Sequence, residues 1–232
     1  MKMWNKAALI LAGVLFMGTT VSAQGYPKNI FGIRGGLNVS SMRLEIEGVN
    51  ITNNRRPKVG WHLGVADQIL LTRSIPLYFE TGLMFTNKGV RYVQKEKDAN
   101  YKLVEKENYG VTYLQIPLKL SYHFYFGDFT LQPYLGFHYN LGLWGRYVEK
   151  SRLKDYRDSS NSTRNKRVTN VFGNEVNMYR SDVGLSFGIG GLYLDHFYFG
   201  LGWEVGFCNM SKALDTRFSN AINFMISTGY NF

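Results

Sequence analysis

The sequence predicts an all-β fold, an eight-stranded antiparallel up-and-down β-barrel. Three observations predict it. Large apolar residues alternate with small or polar ones along eight segments of the chain. The 232 residues include 16 Tyr, 16 Phe and 25 Gly but only 5 Pro, which is typical of a protein rich in strands. Short and long connections alternate between the segments, as up-and-down topology requires.

The alternation is clearest in the last segment, Phe218–Phe232. Ile222, Phe224, Ile226 and Tyr230 share one parity, whereas most residues of the other parity are small or polar. No helix produces a period of two sustained over such a length. We therefore expect the eighth strand to end at Phe232.

The same alternation places seven more strands and the connections between them. The strands are expected at about 30–40, 59–70, 77–90, 110–126, 129–144, 180–194 and 197–209. Short turns are expected at 71–76, 127–128 and 195–196, and longer polar loops at 41–58, 91–109, 145–179 and 210–217.

Residues 1–23 are interpreted as a signal peptide that precedes a barrel domain at 24–232. A lysine-containing start is followed by an apolar run at 7–18, which is too short to cross a bilayer as a helix. Val21-Ser22-Ala23 then fits a small-x-small cleavage site. The alternative is a retained anchor helix, but no stop-transfer pattern follows the run.

Cysteine content and charge narrow the class further. The single cysteine, Cys208, excludes an internal disulfide framework and, because it lies far from the cleavage site, a lipid-anchored protein. The formal net charge is +10. A basic balance can indicate nucleic acid, but an exported barrel would meet lipid phosphate instead. No nucleic-acid partner is therefore expected.

The polar parity of the strands indicates that the apolar face points outward, to lipid. An unpaired buried charge costs several kcal/mol, so the apolar core of a soluble barrel would not hold many charges. An apolar face of this extent would also be too large a patch in water, whereas a closed barrel satisfies its backbone in hydrocarbon. The sequence therefore predicts a transmembrane barrel of the bacterial outer membrane, with short turns and both termini in the periplasm. The polar parity carries the charged residues Arg34, Glu80, Lys88, Lys119 and Glu204.

Three motifs resemble a known family. They are FGIRGGLNVS at 31–40, YLQIPLKLSY at 113–122 and the final Gly229-Tyr230-Asn231-Phe232. With them the mature chain resembles the PorT-like outer-membrane β-barrel family of Bacteroidetes, porin-family barrels of OmpX/OmpA-like architecture. The resemblance implies that the aromatic residues Tyr230 and Phe232 form the C-terminal signal read by the barrel-assembly machinery. It brings no catalytic residue, metal or cofactor.

The five inward charges allow two interpretations. Arg34, Glu80, Lys88, Lys119 and Glu204 either neutralise one another as a network that plugs the lumen, or line a conducting pore. An eight-stranded barrel is just wide enough for side chains to fill. We therefore expect the plugged interior.

Inward glycines on two neighbouring strands raise the possibility of a ligand cavity. The space beside them is expected to be filled by the large inward residues Arg34, Tyr134 and Trp144, with a small amphiphile as the alternative occupant. The glycines are Gly184, Gly188 and Gly190 on the sixth strand and Gly200, Gly202 and Gly206 on the seventh.

The long connection at 145–179 is strongly basic. Long cationic side chains at the outer leaflet suit the phosphates of lipid and lipopolysaccharide, and the alternative is a solvated loop without a partner. The residues of this basic extracellular loop are Arg146, Lys150, Arg152, Lys154, Arg157, Arg164, Lys166 and Arg167.

The four histidines do not indicate an enzyme. His62 and His138 lie within strands, and His123 and His196 lie near predicted turns. No His, Ser and Asp gather at the extracellular rim, where a catalytic base would have to reach its nucleophile. We expect a monomeric, non-enzymatic barrel that is structural or interacts with lipid and surface molecules. The alternative, implied by the PorT-like resemblance, is an accessory barrel for a type IX-like system that contacts other secretion components.

Overall fold

The structure is a computed structural model, in which the predicted signal peptide at 1–23 lies outside the described residues. Among the described residues, no helix has the length and apolar character needed to cross a membrane. The described residues are 26–50, 54–98, 101–155, 162–173 and 176–232.

Eight long strands form one antiparallel ring in which each strand pairs with its neighbours in the sequence. Their bounds are β1 (Asn29–Ile46), β2 (Arg55–Leu70), β3 (Leu77–Lys97), β4 (Tyr101–Tyr122), β5 (Phe129–Asp155), β6 (Ser181–Tyr193), β7 (Phe197–Gly206) and β8 (Thr216–Asn231). Three short strands pair beside them: Val49–Asn50 with β1, and Phe124–Phe126 and Ser162–Asn170 with β5.

The ring closes between β8 and β1. Their ladder runs antiparallel from Gly32 opposite Asn231 to Ile46 opposite Thr216, and the Phe232 N–H donates a hydrogen bond to the Phe31 carbonyl at 2.9 Å. Closure leaves neither end of the sheet with an unpaired edge. The predicted eight-stranded, antiparallel, up-and-down barrel is confirmed.

The two faces of the wall are sorted as the alternation predicts. On β1, Leu37 is 61% exposed whereas its neighbour Asn38 is 1% exposed, and the same contrast separates Phe199 from Tyr198 on β7. Exposed Leu, Ile, Val, Phe and Trp side chains therefore form a band around the outside, and polar side chains fill the inside. This is the arrangement that a hydrocarbon surround stabilises.

The two ends of the barrel differ. At one end, the turn end, successive strands are joined by short connections, such as the tight turn in which Leu194 and Asp195 both have positive φ. We name the other end the hairpin end, because two long hairpins extend from it. There β3, β4 and β5 run well past the apolar band. The predictions of loops at 41–58, 91–109 and 145–179 were therefore partly wrong, because much of each segment is strand.

The strand extensions form a four-stranded antiparallel sheet, which we name the outer sheet. It comprises residues 89–97 of β3, 101–110 of β4, 145–155 of β5 and the strand Ser162–Asn170. Ten residues of β4 span roughly 33 Å at the usual rise per residue. The outer sheet is thus a large projection from the barrel.

An apolar cluster lies inside the ring at the hairpin end. It unites inward residues of the strands with side chains from connections, and the Tyr113 hydroxyl donates to the Met210 sulfur at 3.3 Å. The side chains that fill the lumen are therefore polar in its charged part and apolar next to it, at the hairpin end. The buried members are Met42, Val90, Tyr92, Val111, Tyr113, Val171, Met178, Met210 and Phe218.

Candidate functional site

The five charges predicted to face inward do meet in the lumen. The Lys88 ammonium lies 2.7 Å from the Glu204 carboxylate, and their side chains are 1% and 5% exposed. In a ring of eight, β3 and β7 are four strands apart in either direction. This ion pair therefore crosses the full diameter of the barrel.

A second ion pair lies nearer the turn end. The Lys119 ammonium is 3.0 Å from a Glu80 oxygen on the neighbouring strand. Gln68 donates to the other Glu80 oxygen at 2.8 Å and to the Gln132 side-chain carbonyl at 3.2 Å. Because Gln68 and Gln132 lie on β2 and β5, this chain of hydrogen bonds also spans the lumen.

The Glu204 carboxylate collects further donors. Gln115 donates to one of its oxygens, and Asn223 donates to the other at 3.0 Å. With Lys88, side chains from β3, β4 and β8 thus converge on one carboxylate of β7. Several hydrogen bonds to a single buried carboxylate are what such a group needs to remain ionised away from water.

Two tyrosines occupy the space beside four of the six inward glycines. The Tyr134 ring lies against Gly188 and Gly202, and the Tyr198 ring lies against Gly190 and Gly200. A cation sits over each ring, with the Arg34 guanidinium 4.0 Å from the Tyr198 centroid and the Lys119 ammonium 4.4 Å from that of Tyr134. The glycines therefore make room for aromatic rings.

The expectation that Trp144 also fills the lumen is wrong. Its side chain is 55% exposed. Thr112 of β4 pairs with Trp144, but the next residue, Tyr113, pairs with Gly142, so β5 carries one extra residue, Leu143. A one-residue bulge moves the following side chains to the opposite face, and Trp144 is turned outward.

Little space remains among these groups. A cavity of about 40 Å³ is bordered by the Glu80–Lys119 pair, Glu204, Arg34 and the two tyrosines. Because about 10–15 Å³ of water-accessible volume admits one water molecule, this cavity holds on the order of three water molecules.

Three buried histidines have hydroxyl partners. His62 lies 2.9 Å from the Ser227 hydroxyl, His138 lies 2.8 Å from that of Ser186, and His123 lies 3.0 Å from that of Ser121. All three imidazoles are almost fully buried. Within the described residues, the second ring nitrogen of each has no hydrogen-bond partner.

The basic residues predicted in a loop lie on strands. Arg146, Lys150, Arg152 and Lys154 belong to β5, whereas Arg164, Lys166 and Arg167 belong to the strand Ser162–Asn170. Arg157 lies outside the described residues. Alternating residues of a strand point to opposite faces, and cross-strand pairing places all of these except Arg167 on one face of the outer sheet.

Sequence reasoning missed the other half of this face. Arg91, Lys95 and Lys97 on β3 and Lys102 and Lys106 on β4 pair into the same rows. The sequence carries a signal for these residues, because basic residues recur at every second position or nearly so. The segments that contain them are predicted as loops because they are polar. Basic residues at a period of two are also compatible with one face of a strand.

The opposite face of the outer sheet is acidic. Glu96, Glu105, Glu107 and Glu149 lie on it together with Arg167, and Glu149 stands directly opposite both Glu107 and Arg167. Burial, together with the charges of Glu149 and Glu105, raises the pKa of the Glu107 carboxyl above its usual value. This face continues the lumen side of the wall, because Tyr92 and Tyr109 on it pack with the apolar cluster.

The two residues of the predicted assembly signal lie at the turn end. The Phe232 ring stacks on Phe31 with centroids 6.1 Å apart, and the Tyr230 ring stacks on His196 at 5.4 Å. Tyr230 and Phe232 are 43% and 64% exposed, so both contribute to the outer surface at the seam between β1 and β8.

Several solved outer-membrane proteins are similar to this chain at low sequence identity. OprG of Pseudomonas aeruginosa is 15% identical, with a TM-score of 0.45 and coverage of 91% of this chain and 99% of that one. Ail of Yersinia pestis, solved with the heparin analogue sucrose octasulfate, is 14% identical, with a TM-score of 0.33 and coverage of 88% and 99%. Neisserial surface protein A is 11% identical, with a TM-score of 0.32 and coverage of 87% and 95%.

The family of this chain is shown by a match to a family model. No curated protein matches the sequence. The model described as outer membrane protein beta-barrel domain matches residues 22–212, a range that contains β1 to β7. The closed ring, the apolar outer band and this match agree, and the chain belongs to the outer membrane protein beta-barrel domain family.

Proposed function

We propose that the protein is a non-conducting, non-enzymatic barrel that carries the outer sheet at the bacterial cell surface. The observation that supports it best is the Lys88–Glu204 ion pair, which joins opposite walls at 2.7 Å. A pore needs a continuous water path, whereas here charged and aromatic side chains meet across the lumen. The cavity of about 40 Å³ between them is too small for such a path.

Single-channel recording in planar bilayers tests the sealed interior. The wild-type protein should give no stable conductance. A variant that empties the lumen, Lys88→Ala with Tyr134→Ala, should give frequent current steps, because it removes both an ion-pair side chain and a central ring. Phe137→Ala with Leu135→Ala truncates two lipid-facing residues and is the control. Stable channel-sized steps in the wild type would refute the proposal.

The proposed orientation places the turn end in the periplasm and the outer sheet outside the cell. Short turns face the periplasm in barrels of this kind. Arg146, the basic residue nearest the apolar band on β5, then lies at the level of lipid and lipopolysaccharide phosphates. A cation at such a surface contributes about 1 kcal/mol to membrane attraction.

The proposed absence of catalysis is supported by the three histidine–serine contacts. A nucleophilic serine needs an accessible site and a base that is oriented by a third group. His62, His123 and His138 are 2%, 1% and 1% exposed, and within the described residues no carboxylate bonds their second nitrogen. These contacts fit a structural role inside the wall.

The alternative function is the one implied by the PorT-like resemblance, an accessory role in secretion by a type IX-like system. It would work through partners at the turns or at the outer sheet. A deletion strain separates the two functions. Loss of secreted cargo with an intact envelope would favour the accessory role, and normal secretion with altered sensitivity to detergents would favour the structural one.

A further inference from the structure

We infer that the outward face of the outer sheet binds an extended anionic polysaccharide, a sulfated or phosphorylated sugar chain, outside the cell. This deepens the proposed surface role, and it rests on the proposed orientation of the barrel. We name this surface the cationic face. Its basic residues are Arg91, Lys95, Lys97, Lys102, Lys106, Arg146, Lys150, Arg152, Lys154, Arg164 and Lys166.

Cross-strand register arranges these cations in rows. Lys106, Lys150 and Lys166 lie side by side on three consecutive strands, and Arg152 pairs with Arg164 in the next row. Neighbouring strands are about 4.8 Å apart, so a row offers charges at that spacing. In the described parts of the four strands, no Asp or Glu shares this face.

This arrangement costs stability unless an anion is present. Like charges directly opposite one another on antiparallel strands are destabilising. The sequence nevertheless repeats them across three rows, the third formed by Lys97, Lys102 and Lys154, and confines the acidic residues to the other face. Acidic residues placed on the cationic face would relieve its repulsion. The segregation therefore points to a polyanion that neutralises the cationic face.

The height of the face favours a polymer over membrane lipid. The polar zone of one leaflet is roughly 5–8 Å thick, which is half of the difference in thickness between the full bilayer and its hydrocarbon core. The cationic face follows about ten residues of each strand, or roughly 33 Å along the strand. Even at a tilt of about 45°, most of its cations rise above lipid phosphates. They remain within reach of a sugar chain that stands out from the surface.

The absence of rings on this face disfavours nucleic acid. Proteins that bind single strands interleave basic residues with aromatic platforms on which bases stack. In the described outer sheet, the uncharged residues of this face include Val93, Val104, Asn108, Val148, Val168 and Asn170, and every tyrosine lies on the opposite face. Trp144, the nearest exposed ring, lies below the sheet at its base.

The shape of the surface agrees with a linear ligand. A groove of about 500 Å³ lies at the cationic face, and seven of its ten lining residues are basic. It is lined by Lys95, Lys102, Val104, Lys106, Lys150, Ser151, Arg152, Arg164, Asn165 and Lys166.

Binding of dextran sulfate to the full-length protein in phosphatidylcholine nanodiscs tests the inference. We expect saturable binding that weakens steeply with salt, because counterions are released, and none to uncharged dextran. Replacement of Lys95, Lys106, Lys150 and Lys166 by Gln should weaken binding by at least about tenfold. The control replaces Lys28, Arg73, Lys212 and Arg217 by Gln, removes the same charge elsewhere, and should bind like the wild type.

Each other outcome contradicts the inference. Equal weakening in the control would assign binding to net charge. Tighter binding of a single-stranded oligonucleotide than of dextran sulfate would assign the face to nucleic acid. Binding to phosphatidylglycerol vesicles without binding to dextran sulfate would assign it to lipid. Labelling of the lysines of the cationic face in intact cells reports the proposed orientation separately, so failure of one proposal can be told from failure of the other.

Discussion

At the scale of single residues, the lumen depends on pairs of opposite charges that water cannot reach. The side chains of Lys88 and Glu204 are 1% and 5% exposed. Removal of one partner leaves an uncompensated buried charge, which typically costs about 3–5 kcal/mol. Lys88→Met should therefore lower the free energy of unfolding by that amount, measured by urea unfolding in lipid or detergent.

A double variant distinguishes the ion pair from packing. Lys88→Met combined with Glu204→Gln removes both charges, and it should lose less stability than the sum of the two single variants. Strict additivity would mean that the two side chains do not interact. Leu37→Met on the lipid-facing surface is the control, because Leu37 contributes no charge to the lumen and is 61% exposed.

Glu107 in the outer sheet predicts a pH effect of defined sign. Its raised pKa means that the protonated form is favoured in the folded state. The stabilising contribution of protonation is present below the unfolded pKa and is lost as the pH rises through the folded pKa. Glu107→Gln should therefore make the outer sheet more stable than wild type at pH 7, by roughly 0.2–1 kcal/mol for relief of the cross-strand repulsion. The gain should vanish in acid.

Hydrogen exchange of the outer-sheet amides measures this effect, because global unfolding would not report a local change. Glu96→Gln is the matched control, since Glu96 pairs with Leu103 across the strands and not with another acid. A stability gain that is the same at pH 4 and pH 7 would contradict the assigned cause.

At the scale of strands, the fit of β5 against β6 and β7 depends on a ring seated between glycines. A methyl group added at Gly202 would overlap the Tyr134 hydroxyl, whereas the ring carbon that bears it would be 3.6 Å away. Gly202→Ala should therefore destabilise the barrel by about 1–3 kcal/mol through overpacking. The same substitution in a Tyr134→Phe background should cost much less, as measured by heat-modifiable gel migration. Equal costs in both backgrounds would argue against the contact.

Strand number and strand faces could be predicted because hydropathy alternates wherever one face meets lipid. The ends of β3, β4 and β5 could not, because above the apolar band the alternation is between charge signs. Lys95-Glu96-Lys97 looks like a solvated loop on a hydropathy scale. Its sorting into two faces appears only when the register with β4 is known.

Two features of the candidate site were also beyond sequence reasoning. The single extra residue at Leu143 turns Trp144 outward, and a bulge leaves no mark on a pattern of period two except at the point of insertion. The apolar cluster draws Met178 and Met210 from connections, where no periodicity exists. The inward charges were predictable, but their pairing across the ring required closure.

At the scale of the whole molecule, the seam between β1 and β8 should matter for insertion. Phe232 stacks on Phe31 and is 64% exposed. If Tyr230 and Phe232 are the signal for the barrel-assembly machinery, Phe232→Ala should reduce the yield of protein in the outer membrane several-fold. Protein that does insert should show nearly wild-type heat modifiability. Phe207→Ala, an exposed aromatic remote from the seam, is the control, and equal yields of the two variants would contradict the signal.

The ion pair across the lumen also affects how the barrel forms. Lys88 and Glu204 are separated by 116 residues and lie on opposite walls. While the sheet is open, each charged side chain lies on the inner face without its partner, and the two attract each other only when the ring closes. A partly formed sheet therefore bears the desolvation cost of its charges before it gains their electrostatic attraction. Folding should be all-or-none, and neither half of the chain should form a stable unit by itself.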